Sequence, residues 1–252
     1  MEILVNGALG FMGREVTKLC EAGFKGSSVG ALVDMAGGEG VYRDLSEVTE
    51  PIDCIVDFSH HSATAPLLDY AVSKGIAAVI ATTGHSEEEI EAIKLAAEHI
   101  PVFYSGNMSL GIALLCESAR TIAAAMPEAE IEIVESHHHR KLDAPSGTAL
   151  MLAKAVCEAK PECYTHTGRS GHGKRDPREI GIHSVRMGNI VGIHEVIIGT
   201  DSQTITLKHE AHDRALFAEG ALSAAAYIAD LPAGLYDMKS LVSGDRAAAL
   251  AN

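Results

Sequence analysis

Short apolar, β-branched runs alternate with helical patterns between residues 3 and 104, and this alternation restricts the chain's fold more than any other feature. Ile3–Val5 reads as a strand, Gly7–Gly13 as a glycine-rich turn and Met12–Glu21 as a helix. Ser28–Val33 and Ile52–Phe58 are strands, Ala63–Ser73 is a helix and Ile76–Ala81 is a strand. Ser86–His99 is a helix, with Ser86 and Glu89 placed as a capping box, and Val102–Tyr104 is a short strand. Repeated strand–helix units demand parallel strands joined by crossovers, so the class is α/β, with an open parallel sheet.

The pattern then changes. Gly111–Ala125 reads as a long helix, Glu130–Ser136 as an alternating strand and Thr148–Ala159 as a helix. Residues Pro161–Glu179, rich in Gly, Arg and His, are predicted to be a loop. Strands over Ile182–Arg186, Val191–Ile198 and Thr204–His209 follow without intervening helices, which predicts a second, mainly antiparallel α+β region. Arg214–Ile228 is helical again and is expected to return to the first domain, ahead of an Ala-rich end.

Composition excludes several classes. At 47% hydrophobic the chain can bury a sizeable core, and its 24 glycines with no Trp suit close helix-on-sheet packing. A formal net charge of −14 opposes sequence-independent nucleic-acid binding. Apolar runs such as Ile76–Ala81 are strand-length, so no membrane span is expected. The chain enters a strand at once, with no basic region or cleavage pattern. Five cysteines without a CxxC argue against a disulfide framework, and a cytoplasmic setting follows.

Gly7-Ala8-Leu9-Gly10-Phe11-Met12-Gly13 lies where a first strand turns into a first helix. Glycines there let the backbone approach a pyrophosphate seated on the helix N-terminus. The spacing is GxxGxxG rather than GxGxxG, and its position, with Asp34 closing the second strand, gives it weight. An acidic side chain at that point bonds the two ribose hydroxyls of a dinucleotide.

A net acidic chain concentrates its positive charge in His137-His138-His139-Arg140-Lys141. In an extended segment His137 and His139 point away from His138. Pro145 and Gly147 shape the following turn, where Ser146, Gly147 and Thr148 offer backbone N–H groups at a helix start. With Lys141 this makes a carboxylate receptor, and His137 and Lys141 are placed to supply protons. No metal is expected: the segment has no HExxH, no paired Cys and no i, i+4 His spacing. The other histidines read as surface or structural, His194 and His209 being weaker pocket candidates.

Glu135-Ser-His-His-His-Arg-Lys-Leu-Asp-Ala-Pro-Ser-Gly-Thr-Ala149 resembles the E-x-H-H-x-x-K-x-D-A-P-S-G-T-A signature of dihydrodipicolinate reductases. Residues 79–84 (VIATTG), 105–111 (SGNMSLG), 186–194 (RMGNIVGIH), 209–221 and 234–238 (GLYDM) resemble further family motifs, so the likeness spans essentially the whole chain. It implies a discontinuous, Rossmann-like dinucleotide-binding domain, residues 1–108 with 214–252, and a second α+β domain for substrate binding and oligomerisation, 109–213, with a mixed sheet. It implies NADH- or NADPH-dependent reduction of 4-hydroxy-tetrahydrodipicolinate, a cyclic dicarboxylate of lysine and diaminopimelate biosynthesis, by a homotetramer. Carried over by position, His137 is the acid/base residue and Lys141 the proton donor, and His138, Gly147 and Thr148 bind substrate. The cofactor is lined by Gly7–Met12, by Asp34, by Ala81, Thr82 and Thr83, and by Ser105, Gly106, Asn107 and Met108.

Three departures matter. Ala81 stands for the usual glycine before Thr82-Thr83, Phe11 holds an often basic loop position, and Met35 follows Asp34 where arginine is common. The last two predict a bias toward NADH over NADPH, with Arg14 the basic residue nearest the glycine loop in sequence. Two other functions fit the same features: a nicotinamide-dependent dehydrogenase of another small dicarboxylate, and a dinucleotide sensor that binds without turnover.

Overall fold

A computed structural model describes residues 1–244; the Ala-rich end and the close of the expected 214–252 segment lie outside the described residues. The chain begins β1 (Glu2–Asn6), α1 (Phe11–Glu21), β2 (Ser28–Val33), β3 (Cys54–Asp57), α2 (Thr64–Lys74), β4 (Ala77–Ile80), α3 (Glu87–Ala97) and β5 (Pro101–Tyr104). It continues through α4 (Leu110–Ala125), β6 (Glu130–His137), α5 (Gly147–Ala159), β7 (Tyr164–Thr167), β8 (Glu179–Arg186), β9 (Gly192–Gly199) and β10 (Thr204–Ala211). It ends with α6 (Ala215–Ile228), β11 (Gly234–Tyr236) and α7 (Met238–Ser243). Contacts divide it into two compact units, one of Met1–Leu110 with the segment from Arg214 onward, the other of Gly111–Asp213.

The first unit carries a six-stranded sheet in the order β11-β5-β4-β3-β1-β2, every neighbouring pair parallel. β3 and β4 are buried at every position, which explains their continuous apolar sequence. Leu4, Ile55, Ala78 and Ile80 present one face to Leu67 and Leu68 of α2 and Ile93 of α3. Ser86 caps α3 in the expected reciprocal box with Glu89. α6 packs on α1 and on β3, β4 and β5, as expected for a returning segment. β1 lies between β2 and β3, so the chain switches direction across the sheet at the end of β1. Open α/β sheets bind ligands at the carboxyl ends of their strands beside such a switch point.

The second unit carries a five-stranded sheet in the order β10-β9-β6-β8-β7. β10–β9 and β9–β6 are antiparallel, and β6–β8 and β8–β7 are parallel. The expectation of a mainly antiparallel region is therefore corrected to an evenly mixed sheet. Its physical reason is α5, which supplies the long crossover that a parallel β6–β8 pair needs. The predicted loop over 161–179 also contains β7, a four-residue edge strand exposed at every position and so without readable periodicity. Ile131, Ile133, Ile180, Ile182, Val196 and Ile198 pack against Ile112 and Leu115 of α4 and Leu152 and Val156 of α5. Each such side chain contributes about 1.5–3 kcal/mol relative to exposure. Among the described residues, no helix is long and apolar enough to cross a membrane.

Candidate active site

The loops named for a dinucleotide all leave the carboxyl ends of parallel strands. β1 ends at Asn6, β2 at Val33, β3 at Asp57, β4 at Ile80 and β5 at Tyr104, in matching register. Gly7–Met12, Asp34, Ala81–Thr83 and Ser105–Met108 therefore share one edge of one sheet. Gly7 has φ +78°, and a Cβ there would stand 2.6 Å from the Phe58 carbonyl oxygen. A Cβ on Gly13 would run into the Gly7 carbonyl, so both glycines are required by close backbone approach. Gly10 caps α1 with no side-chain hydrogen bond, and the first turn holds no acidic residue, leaving a positive helix end open to an anion.

Around this loop the polar groups are tied down. Asp34 accepts hydrogen bonds from the backbone N–H groups of Leu9 (3.0 Å) and Ala36 (3.0 Å), which joins the ends of β1 and β2. Asp57, fully buried, accepts from Asn6 (2.8 Å), from the Ser59 hydroxyl (2.6 Å) and from the Thr82 hydroxyl (2.8 Å). Thr82 and Ala81 are thereby buried, while Thr83 is exposed. The Ser105 hydroxyl donates to the Asn107 carbonyl (2.9 Å), Gly106 is exposed and Met108 is buried. Phe11 is 58% exposed with the Arg214 guanidinium over its ring at 5.7 Å, and Met35 is 86% exposed. Arg43 lies across Gly37, where a Cβ would meet its Nε at 2.5 Å, so a cation stands beside the turn that follows Asp34.

The second cluster is assembled by strand register. β6 alternates, and Glu135 and His137 fall on its buried face with Ile131 and Ile133. Across the sheet Glu135 stands opposite Ser184 of β8 and His194 of β9, and His137 opposite Arg186. Glu135, fully buried, accepts from both terminal nitrogens of Arg186 (2.8 and 2.7 Å) and from the Ser146 N–H (3.1 Å), and meets His137 Nδ1 at 2.6 Å. Burial alone raises its pKa; hydrogen bonds from Arg186, Ser184, His137 and Ser146 outweigh that and hold it at about 2. Burial lowers the His137 pKa, Glu135 opposes this, and Lys141 and Arg186 add to it. His194 lies edge-on to His137 with ring centroids 5.1 Å apart, its Nε2 is 3.2 Å from the Ser146 hydroxyl, and burial first of all lowers its pKa to about 4.

Several sequence readings are sharpened or corrected. Strand β6 stops at His137 and the chain turns at His139, which is exposed, so the two do not share a face. His138 is half-buried and donates its N–H to the Ile190 carbonyl (2.8 Å). Ser146 is buried and gives its N–H to Glu135, and its hydroxyl accepts from the Ala149 N–H to cap α5 and lies 3.2 Å from His194 Nε2. Gly147 is exposed at the start of α5 and Thr148 is half-buried beside it. Lys141 pairs with Asp143 (2.8 Å). Sequence reasoning overlooked Glu135 and Arg186; the readable signal for Glu135 was its place two residues before His137 on the same strand face.

A glycine-cradled helix start at the switch point of a parallel sheet, with an acidic residue closing the next strand, is the arrangement of a dinucleotide-binding α/β protein. The chain also matches the family models for the N-terminus of dihydrodipicolinate reductase, over residues 1–108, and for its C-terminus, over residues 111–242. It is 39% identical to 4-hydroxy-tetrahydrodipicolinate reductase of Alkaliphilus metalliredigens, covering 96% of this chain and 99% of that one. It is 41% identical to the same-named protein of Caldanaerobacter subterraneus subsp. tengcongensis, covering 96% and 98%. The fold is similar to that of a dipicolinate-bound dihydrodipicolinate reductase from Paenisporosarcina sp. TG-14, with TM-score 0.78 and 22% identity over 94% of this chain and 97% of that one. The chain belongs to the dihydrodipicolinate reductase family.

Proposed function

We propose that this chain reduces 4-hydroxy-tetrahydrodipicolinate to tetrahydrodipicolinate with a reduced nicotinamide dinucleotide, through His137 and Lys141. The observation that carries the assignment of residues is the buried Glu135–His137 pair, held by half-buried Arg186, beside Lys141 and the start of α5. A dicarboxylate needs fixed positive groups in a chain of net charge −14, and Lys141 with the N–H groups of Gly147 and Thr148 meets that need. Dipicolinate, bound by the Paenisporosarcina protein, is itself a ring carrying two carboxylates. His138 adds a polar contact; Ser146 supports the turn through Glu135 and α5.

When bound, the reduced nicotinamide supplies the hydride. The balance is one hydride and one proton taken up by the substrate and one water lost. Lys141 Nζ delivers the proton and holds a carboxylate, and His137 exchanges protons at its outer nitrogen. Gly7–Met12 holds the pyrophosphate, Asp34 the adenine ribose, and Ala81–Thr83 and Ser105–Met108 the remainder, with residues 1–108 and 214–252 acting as the cofactor domain and 109–213 as the substrate and assembly domain.

NADH is the preferred reductant. Asp34 faces two hydroxyls in NADH and a like-charged phosphate in NADPH. Phe11 and Met35 bring no charge, and Arg14, Arg43 and Arg214 limit the bias rather than abolish it. The protein acts in the cytoplasm as a homotetramer built on the mixed sheet.

Enzymatically generated substrate is mixed with the protein and NADH, and reduced-nicotinamide absorbance is followed. Substrate-dependent loss of absorbance is expected. Turnover only with another dicarboxylate, or cofactor binding without turnover, would overturn the assignment in favour of a related dehydrogenase or a sensor.

A further inference from the structure

We infer that Glu135 is a positioning residue that holds His137 in the tautomer protonated on Nδ1, leaving Nε2 as the nitrogen that exchanges protons. The inference rests on the reading of His137 as the acid/base residue and deepens it.

Four N–H donors converge on the buried Glu135 carboxylate, and the Ser184 side chain adds a further hydrogen bond. Oε1 accepts from Arg186 Nη2 (2.7 Å) and from the Ser146 N–H (3.1 Å). Oε2 accepts from Arg186 Nη1 (2.8 Å) and stands 2.6 Å from His137 Nδ1. An ionised carboxylate has lone pairs only, so the hydrogen in the last contact belongs to the imidazole. The bidentate guanidinium keeps the carboxylate charged and fixes its plane, and both partners are locked by adjacent strands in register. Arg186 Nη2 also donates to the Asp143 carbonyl (2.7 Å), anchoring the far side of the fork in the turn that follows Lys141.

The second nitrogen of His137 is left open. Among the described residues Nε2 makes no hydrogen bond, and the position beside it is Gly192, where a Cβ would stand only 3.2 Å away. Any larger residue at 192 would cover the atom. A neutral imidazole protonated at Nδ1 carries its lone pair at Nε2, accepts a proton there and returns it from the same atom. Throughout, the Nδ1 proton stays between His137 and Glu135, and Glu135 remains ionised. His194 packs edge-on against the ring, with centroids 5.1 Å apart.

Glu135→Gln discriminates this from simple packing. Oε1 faces two donors that cannot reverse, Arg186 Nη2–H and the Ser146 N–H, whereas Oε2 faces one such donor, Arg186 Nη1–H, beside the reversible imidazole, so the amide oxygen takes the Oε1 place and the amide NH₂ faces His137. The ring must then accept at Nδ1 and carry its proton on Nε2. Solid-state NMR of ¹⁵N-histidine-labelled full-length protein above pH 8, with His137→Asn to assign the signal, reads the tautomer directly. We expect Nδ1–H in the wild type and Nε2–H in Glu135→Gln. Turnover should fall on the order of 100-fold with the KM for NADH unchanged, and Glu135→Asp should restore part of it. A wild-type His137 protonated on Nε2, or the same tautomer in both proteins, overturns the inference. Near-normal turnover of His137→Asn would instead remove the acid/base reading and leave the tautomer result intact.

Discussion

His194 and Glu135 respond to acid over different ranges, and both stabilise the fold at neutral pH. His194 has a folded pKa of about 4 against an ordinary 6.5, so its contribution is complete above 6.5 and is lost as pH falls toward 4. That shift corresponds to a contribution on the order of 3 kcal/mol. Glu135, near 2 against an ordinary 4.5, loses its contribution only below that second value. Denaturation midpoints measured from pH 7 to 4 should therefore fall for the wild type and fall less steeply for His194→Asn, the remaining slope coming from His85, His137 and His209, whose pKa values burial also lowers. Lys141→Ala should lower turnover by roughly 10²–10⁴-fold with cofactor affinity almost unchanged. A variant with near-normal turnover would refute the role of Lys141. At the adenine ribose, a like-charge clash of roughly 1–3 kcal/mol means about a ten- to hundred-fold advantage for NADH in kcat/KM. Met35→Arg should narrow it. Equal or higher kcat/KM with NADPH at moderate salt would show the reading of Asp34 to be wrong.

At the scale of elements, α6 and the loop after β5 depend on one glycine. A Cβ on Gly220 would collide with the Met108 carbonyl oxygen, so α6 seats against Ser105–Met108 only because position 220 has no side chain. Gly220→Ala should cost about 1–3 kcal/mol by overpacking and lower Tm by roughly 3–10 °C. It should also raise the KM for NADH, because the displaced backbone belongs to the proposed cofactor edge. An unchanged Tm in calorimetry would mean that α6 is not held there. Strand β6 shows the same dependence on near neighbours: its alternation puts Glu135 and His137 on the face of Ile131 and Ile133. That alternation was legible in the sequence, yet it says nothing about which strands lie alongside. Arg186, 51 residues from Glu135, reaches the carboxylate only through the β6–β8 register.

For the whole molecule, the mixed sheet has one face sealed by α4 and α5 and the other carrying half-buried Val134, Ile193 and Ile197. Edges and open faces of this kind are managed by assembly. Sedimentation equilibrium at micromolar concentration should give a tetramer; monomer alone would count decisively against it. The sequence by itself determined what is local: the strand–helix units, the glycine turn, Asp34 closing β2, and the H-H-H-R-K and S-G-T runs. Each is set by period, turn chemistry or adjacency over a few residues. Tertiary structure decided what depends on register between distant segments. It paired β6 in parallel with β8, tied the Ser146 N–H to Glu135, and set His194 against His137. It also laid Arg43 over Gly37 near the Asp34 turn. Side-chain partners across a sheet follow from strand order and register, and no local pattern in one chain records which strands will be neighbours.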